Sequence, residues 1–309
     1  MKRLLSAVLA AALLGACSAA PASSAQPGAS ASAVPAAAAD PLEGLNLPAA
    51  PEIAADSAIV IDYDTGMVLY EKDADAMMVP ASMTKVMTGY IIFEELEAGN
   101  LTLDTLVPIS AETAEKSWDG ETYPASVPLA ADSSYRVDTL LRLIFLPSAS
   151  ASCIAMAEYI SGSEEAFVER MNETARRLGM EAEYTNCHGA LVNHLTARSQ
   201  ALLVQECIRR FPQMLEYTSA TQVHLADGRT YTNTNGLLPG GDYEYEGADG
   251  FKTGTTDEAG CCLSATAVRD GRRIISVIMH SDTDETRHTD SAALLDYGFA
   301  VLELVEQDG

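Results

Sequence analysis

Ser82 and Lys85 form the sharpest chemical signal in this 309-residue chain, within Pro80-Ala81-Ser82-Met83-Thr84-Lys85. Three positions apart on a helix, the two side chains share a face, so the amine can reach the serine oxygen. The first turn of a helix also sets the hydroxyl beside orphan N–H groups at a positive dipole end. Burial and neighbouring cations would lower the lysine pKa and let it act as base for a serine nucleophile. Alone the spacing is a weak signal, because a capped helix with a solvated lysine shares it. Two further clusters strengthen it. Ser148-Ala149-Ser150 lies 66 residues after Ser82, at a break between two apolar segments. Lys252-Thr253-Gly254 lies 104 residues after Ser148, ahead of an apolar strand that begins at Leu263. A lysine and a threonine on a strand edge offer an ammonium and a hydroxyl to a carboxylate, and Gly254 lets a substrate backbone approach closely.

The elements that must hold these residues are readable in outline. Ala58–Tyr63 and Met67–Tyr70 are β-branched and apolar and flank Asp64-Thr65-Gly66, which predicts a hairpin. From Ser82 onward, Met83, Val86, Met87, Tyr90 and Ile91 fall at helical spacing, with Gly99 as a stop. Leu140–Phe145 and Ile154–Ile160 read as a buried helical pair broken at Pro147. Ser163 can cap a following helix that ends at Gly179, and another runs from about Thr196 to Arg210. Leu263–Val268 and Arg273–Met279 read as strands joined by Arg269-Asp270-Gly271, followed by an amphipathic helix through Leu294, Tyr297 and Leu302. Strands, then helices, then strands predict an α+β fold in which N- and C-terminal strands share one antiparallel sheet.

Composition narrows the class of function. The chain carries 19 Lys and Arg against 44 Asp and Glu, a formal charge of −25, and has no basic run, so nucleic acid is excluded as a partner. Met1-Lys2-Arg3 followed by the apolar stretch Leu4–Leu14 reads as a secretory signal, too short for the roughly 20 residues that span a bilayer. It ends in Leu14-Gly15-Ala16-Cys17, which resembles a bacterial lipobox and implies acylation of Cys17 and membrane attachment. From Ser18 to Asp40, 20 of 23 residues are Ala, Ser, Pro or Gly, the composition of a linker. The expected organisation is therefore a signal over 1–16, a lipidated linker over 17–45 and a catalytic domain over 46–309. Five further cysteines (Cys153, Cys187, Cys207, Cys261, Cys262) are odd in number and match no zinc spacing, and the histidines show no H-E-x-x-H. No metal or cofactor is expected.

Taken together, the three clusters match the S-x-x-K, S-x-N and K-T-G set of penicillin-recognising serine enzymes. PASMTKVMT at 80–88, NCHG at 186–189, NTNGLL at 233–238, GADGFKTGTTDEAG at 247–260 and LLDYGF at 294–299 resemble serine-type D-alanyl-D-alanine carboxypeptidases, the low-molecular-mass penicillin-binding proteins, in register from about Ala58 to Phe299. The resemblance implies the penicillin-binding-protein/serine β-lactamase-like transpeptidase fold. It implies Ser82 as nucleophile, Lys85 as its base and Ser148 as proton relay to the leaving D-alanine. Lys252 and Thr253 would bind the terminal carboxylate, and the N–H groups of Ser82 and Thr255 would form the oxyanion hole. Gly254 and Ser150 would line the substrate groove, and β-lactams would be covalent inhibitors. Where the family has Ser-Gly-Asn-Asp, this chain has Ser148-Ala149-Ser150-Ala151. Cys187 replaces a usual proline and Cys261 a usual larger residue, and with few residues after Phe299 the C-terminal β-rich domain of many relatives is not expected. The loss of asparagine at Ser150 leaves open a weak or inactive peptidoglycan- or penicillin-binding lipoprotein. A β-lactamase is the remaining alternative, although no glutamate-containing loop motif for deacylation stands out.

Overall fold

The computed structural model describes residues 42–123 and 125–308. Cys17, the signal segment and most of the 17–45 linker therefore lie outside the described residues. The central element is a five-stranded antiparallel sheet. Its strands are β1 (Ser57–Asp62), β2 (Val68–Lys72), β3 (Ala248–Thr256), β4 (Gly260–Arg269) and β5 (Arg272–Ser281), ordered β2-β1-β5-β4-β3. As the sequence pattern predicted, the N-terminal hairpin joins the C-terminal strands, Ile59 lying opposite Val277. The strands are apolar on both faces because both faces are covered. Ile59, Ile61, Ile275 and Val277 pack into the core formed with the helices, whereas Ala58, Val60, Ile274 and Ile278 pack with Leu294, Leu295 and Val301 of the last helix.

The helical block follows β2. A 3₁₀ turn at Ala81–Thr84 leads directly into α1 (Lys85–Glu97), so Ser82 sits in a tighter turn than the α-helix its spacing suggested. The i,i+3 relation serves both forms, which is why sequence spacing does not separate them. Then come α2 (Ala111–Lys116), α3 (Val137–Phe145), α4 (Ser150–Ser161), α5 (Glu164–Leu178), α6 (Ala197–Arg210), α7 (Leu215–Thr218) and, after the sheet, α8 (Asp284–Asp308). Ser163 caps α5 by accepting from Ala166 N at 3.2 Å, and Gly179 closes it at φ +73°. Thr196 caps α6 in the same way, accepting from Ser199 N at 3.0 Å. α1 is buried on nearly every side, including Lys85, Met87, Tyr90 and Ile91. Among the described residues no helix is long and apolar enough to cross a membrane.

Candidate active site

Three segments distant in sequence meet in one cleft of about 320 Å³, lined by Ser82, Ser148, Ser150, Thr234, Thr253 and Arg287 among others. The first is the 3₁₀ turn. Lys85 is fully buried, and its Nζ lies 3.0 Å from Ser82 Oγ and 3.4 Å from Ser150 Oγ and donates to the carbonyl of His188. No carboxylate pairs with it among the described residues. Burial lowers its pKa from the usual lysine value.

The second segment is the break between α3 and α4. The chain turns over Leu146-Pro147-Ser148, and Ser148 takes a left-handed backbone at φ +66°, a conformation costing about 1–3 kcal/mol in a non-glycine residue. The turn is pinned by Ala149 N donating to Leu143 O at 2.8 Å and Ser150 N to Ala125 O at 3.3 Å. It aims two hydroxyls at the cleft with different surroundings. Ser150 Oγ meets Lys85, whereas Ser148 Oγ is buried without a hydrogen-bond partner.

The third is the edge strand β3, which brings Lys252, Thr253, Gly254 and Thr255 alongside the 3₁₀ turn. Gly254 makes the approach possible, since a Cβ there would stand 2.5 Å from Pro80 O and 3.1 Å from Ser82 N. Lys252 is buried, and among the described residues its Nζ hydrogen-bonds only to the Thr253 carbonyl, at 3.1 Å. Burial pushes its pKa well below the usual lysine value, and the charges of Lys85 and Arg287 push the same way. Thr253 Oγ1 lies 2.5 Å from Thr234 Oγ1. Arg287, from α8, donates to Thr255 Oγ1 at 2.7 Å and to Gly254 O at 3.2 Å, and its other arm meets Asp284.

Sequence reasoning missed four contributors: Thr234, Arg287, the His188 carbonyl and Ala125. Thr234 lies inside the 233–238 motif, and its type and spacing alone assigned it no role. Arg287 and Asp284 look in sequence like an ordinary i,i+3 surface pair. The other two act through backbone atoms, which leave no residue-type signal. The five cysteines among the described residues are buried, free thiols. Burial pushes the Cys153 thiol up to about 12, so it stays protonated near neutral pH.

The sequence profile of the D-alanyl-D-alanine carboxypeptidase family matches residues 45–283. The chain is 36% identical over 266 residues to the D-alanyl-D-alanine carboxypeptidase DacA of Escherichia coli K12, a match covering 84% of this chain and 64% of that relative's length. The fold resembles the crystal structure of a peptidoglycan synthesis regulatory factor (PBP3) from Streptococcus pneumoniae, with TM-score 0.77 and 35% identity over 81% of this chain and 74% of the other. It also resembles penicillin-binding protein D2 from Listeria monocytogenes in its cefotaxime-bound form, with TM-score 0.69 and 27% identity over 82% of this chain and all of the other.

Proposed function

This chain belongs to the D-alanyl-D-alanine carboxypeptidase family, and from that premise we propose that it removes the terminal D-alanine from peptidoglycan stem peptides ending in D-Ala-D-Ala. The observation that carries the reading is electrostatic. In a chain of net charge −25, the side chains of Lys252 and Arg287 are buried together at one cleft, and Lys252 has no carboxylate partner among the described residues. A buried ammonium without a counter-charge is costly, so its retention fits a site completed by an anionic substrate. Lys252 and Thr253 supply that pairing to the terminal carboxylate, and Arg287 adds charge behind them.

The chemistry follows from the contacts of Lys85. As a neutral amine it donates two N–H bonds, to the His188 carbonyl and Ser150 Oγ, and turns its lone pair to the Ser82 hydroxyl. Ser82 Oγ attacks the carbonyl carbon of the D-Ala-D-Ala bond while its proton passes to Lys85 Nζ. The carbonyl electrons move onto oxygen, where the N–H groups of Ser82 and Thr255 receive them, each such donor contributing about 3–4 kcal/mol. Collapse breaks the C–N bond. Ser148, with its free hydroxyl on the cleft, relays the proton from Lys85 to the departing amine. Water, deprotonated by the same lysine, then hydrolyses the ester and frees Ser82. A β-lactam follows the first half of this path and remains on Ser82. The binding-only alternative is not favoured, since the Ser150 hydroxyl keeps a contact with Lys85. The reading extends to an exported chain held at the extracytoplasmic membrane face through lipid on Cys17, with 17–45 as tether and 46–309 as catalytic domain.

Release of free D-alanine from a diacylated D-Ala-D-Ala peptide by the purified protein tests this. Turnover by the wild type that is lost in Ser82→Ala is expected. No release by the wild type contradicts the reading.

A further inference from the structure

Lys85 is held by two hydroxyls and one carbonyl, and the carbonyl belongs to a loop rather than to a helix or strand. Several groups fix that loop, residues 185–193, internally and onto the 3₁₀ turn and α1. Thr88 Oγ1 donates to Cys187 O at 2.5 Å, and Asn193 Nδ2 donates to Thr84 Oγ1 at 2.9 Å. Asn186 Oδ1 accepts from Gly189 N at 2.6 Å. Two anchors come from elsewhere: Tyr123, whose ring packs edge-on against His188 with centroids 5.2 Å apart, and Glu164, at the start of α5. Its Oε1 accepts from Cys187 N at 3.0 Å and lies 3.5 Å from His188 Nε2. His188 Nδ1 accepts from Ala190 N at 3.0 Å, which leaves the ring proton on Nε2, facing Glu164. Burial keeps this imidazole neutral by lowering its pKa to about 3.

We infer that Glu164 is a positioning residue for Lys85, clamping the backbone of Cys187 and the ring of His188 so that the His188 carbonyl stays on the amine. The inference rests on the peptidase reading of Ser82 and Lys85. Glu164 does not line the cleft, so it acts through the loop and not on substrate. Its inward turn is not required by its own helix. Ser163 already caps α5, and the exposed Glu165 beside it complements the helix dipole. The carboxylate accepts from Cys187 N at 3.0 Å and faces His188 Nε2 at 3.5 Å, a role an amide oxygen can also fill.

The test is stopped-flow acylation of the full-length protein by a fluorescent penicillin, separating the limiting rate from the half-saturating concentration. Glu164→Met fills the volume and accepts nothing; its limiting rate should fall roughly 10- to 100-fold, the scale on which a misplaced catalytic group acts, with half-saturation little changed. Glu164→Gln should recover the rate to within about fivefold of wild type, because the hydrogen-bond acceptor is kept. Glu165→Ala, which weakens the same helix end without touching the loop, should match wild type. If Glu164→Met does not fold, Glu164→Ala takes its place in the comparison. A Glu164→Met or Glu164→Ala rate equal to wild type overturns the inference, as does a Glu164→Gln variant as slow as either. Failure of the wild type to acylate at all would overturn the peptidase reading, and this inference with it.

Discussion

Amidating the terminal carboxylate of the substrate isolates what Lys252 contributes. Among the described residues the Lys252 side chain has a single acceptor, its neighbour's carbonyl at 3.1 Å, and burial lowers its pKa well below the usual 10.5. An arriving carboxylate supplies the missing partner. A charge-assisted hydrogen bond contributes about 1.5–3 kcal/mol, and at about 1.4 kcal/mol per tenfold the amide should lose roughly 10- to 100-fold in kcat/KM. Two unit charges about 4 Å apart at an effective dielectric near 20 give about 4 kcal/mol, an upper bound on the same effect. The assay is D-alaninamide or D-alanine release from paired amidated and free peptides, run on the wild type and on Lys252→Met. The penalty for amidation should largely vanish in the variant, because the group that reads the charge is gone. pH provides a second axis. Lys85 works as a base only above its lowered pKa, so activity rises with pH there. Lys252 attracts the carboxylate only while protonated, so kcat/KM for the free acid falls as pH rises through its own lowered pKa. The free acid needs Lys85 neutral and Lys252 protonated at once, so its profile passes through a maximum, whereas the amide, which makes no ion pair with Lys252, shows only the rise that belongs to Lys85. An amidation penalty of equal size in wild type and Lys252→Met would refute the reasoning.

Three other outcomes follow from the same structure. Gly254→Ala places a methyl 2.5 Å from Pro80 O, so β3 must withdraw from Ser82; penicillin acylation should fall more than about 100-fold, and a rate near wild type would mean the strand does not seat there. Ser150→Asn supplies the donor and acceptor that a hydroxyl on a shorter stem lacks and should raise the acylation rate about tenfold by stopped flow; an unchanged or slower rate would contradict this. Cys17→Ser should release the protein from membranes with its peptidase activity intact, as fractionation would show; continued membrane retention would point to another anchor.

Much of this site was legible because its chemistry is local. Ser82 and Lys85 are bound by a three-residue spacing that puts one side chain over the other in 3₁₀ and α forms alike. Gly254 was legible as a point of close backbone approach, but the sequence reading gave that approach to substrate, whereas the backbone that a Cβ there would meet is that of Pro80 and Ser82. The sheet was legible because β1, β4 and β5 are apolar on both faces, and both faces turn out to be covered. What remained hidden is tertiary. The His188 carbonyl that steadies Lys85 is a backbone atom 103 residues away, and no residue type announces it. Arg287 reaches Thr255 across 32 residues through the docking of α8 on the sheet, which its own helical spacing does not reveal. The division of labour between the two serines was also out of reach. Only the left-handed turn at Ser148 shows that Ser150 faces Lys85 while Ser148 stands free. Short ladders such as Leu106–Pro108 with Ser134–Arg136 are three residues long and leave no measurable period.

The most direct test of the central claim is the mass of the penicillin-treated protein, followed by peptide mapping. The arrangement of Ser82, Lys85 and Ser150 predicts one covalent adduct, on the peptide containing Ser82, and none in Ser82→Ala. An adduct on any other residue, or one that survives Ser82→Ala, would contradict the account.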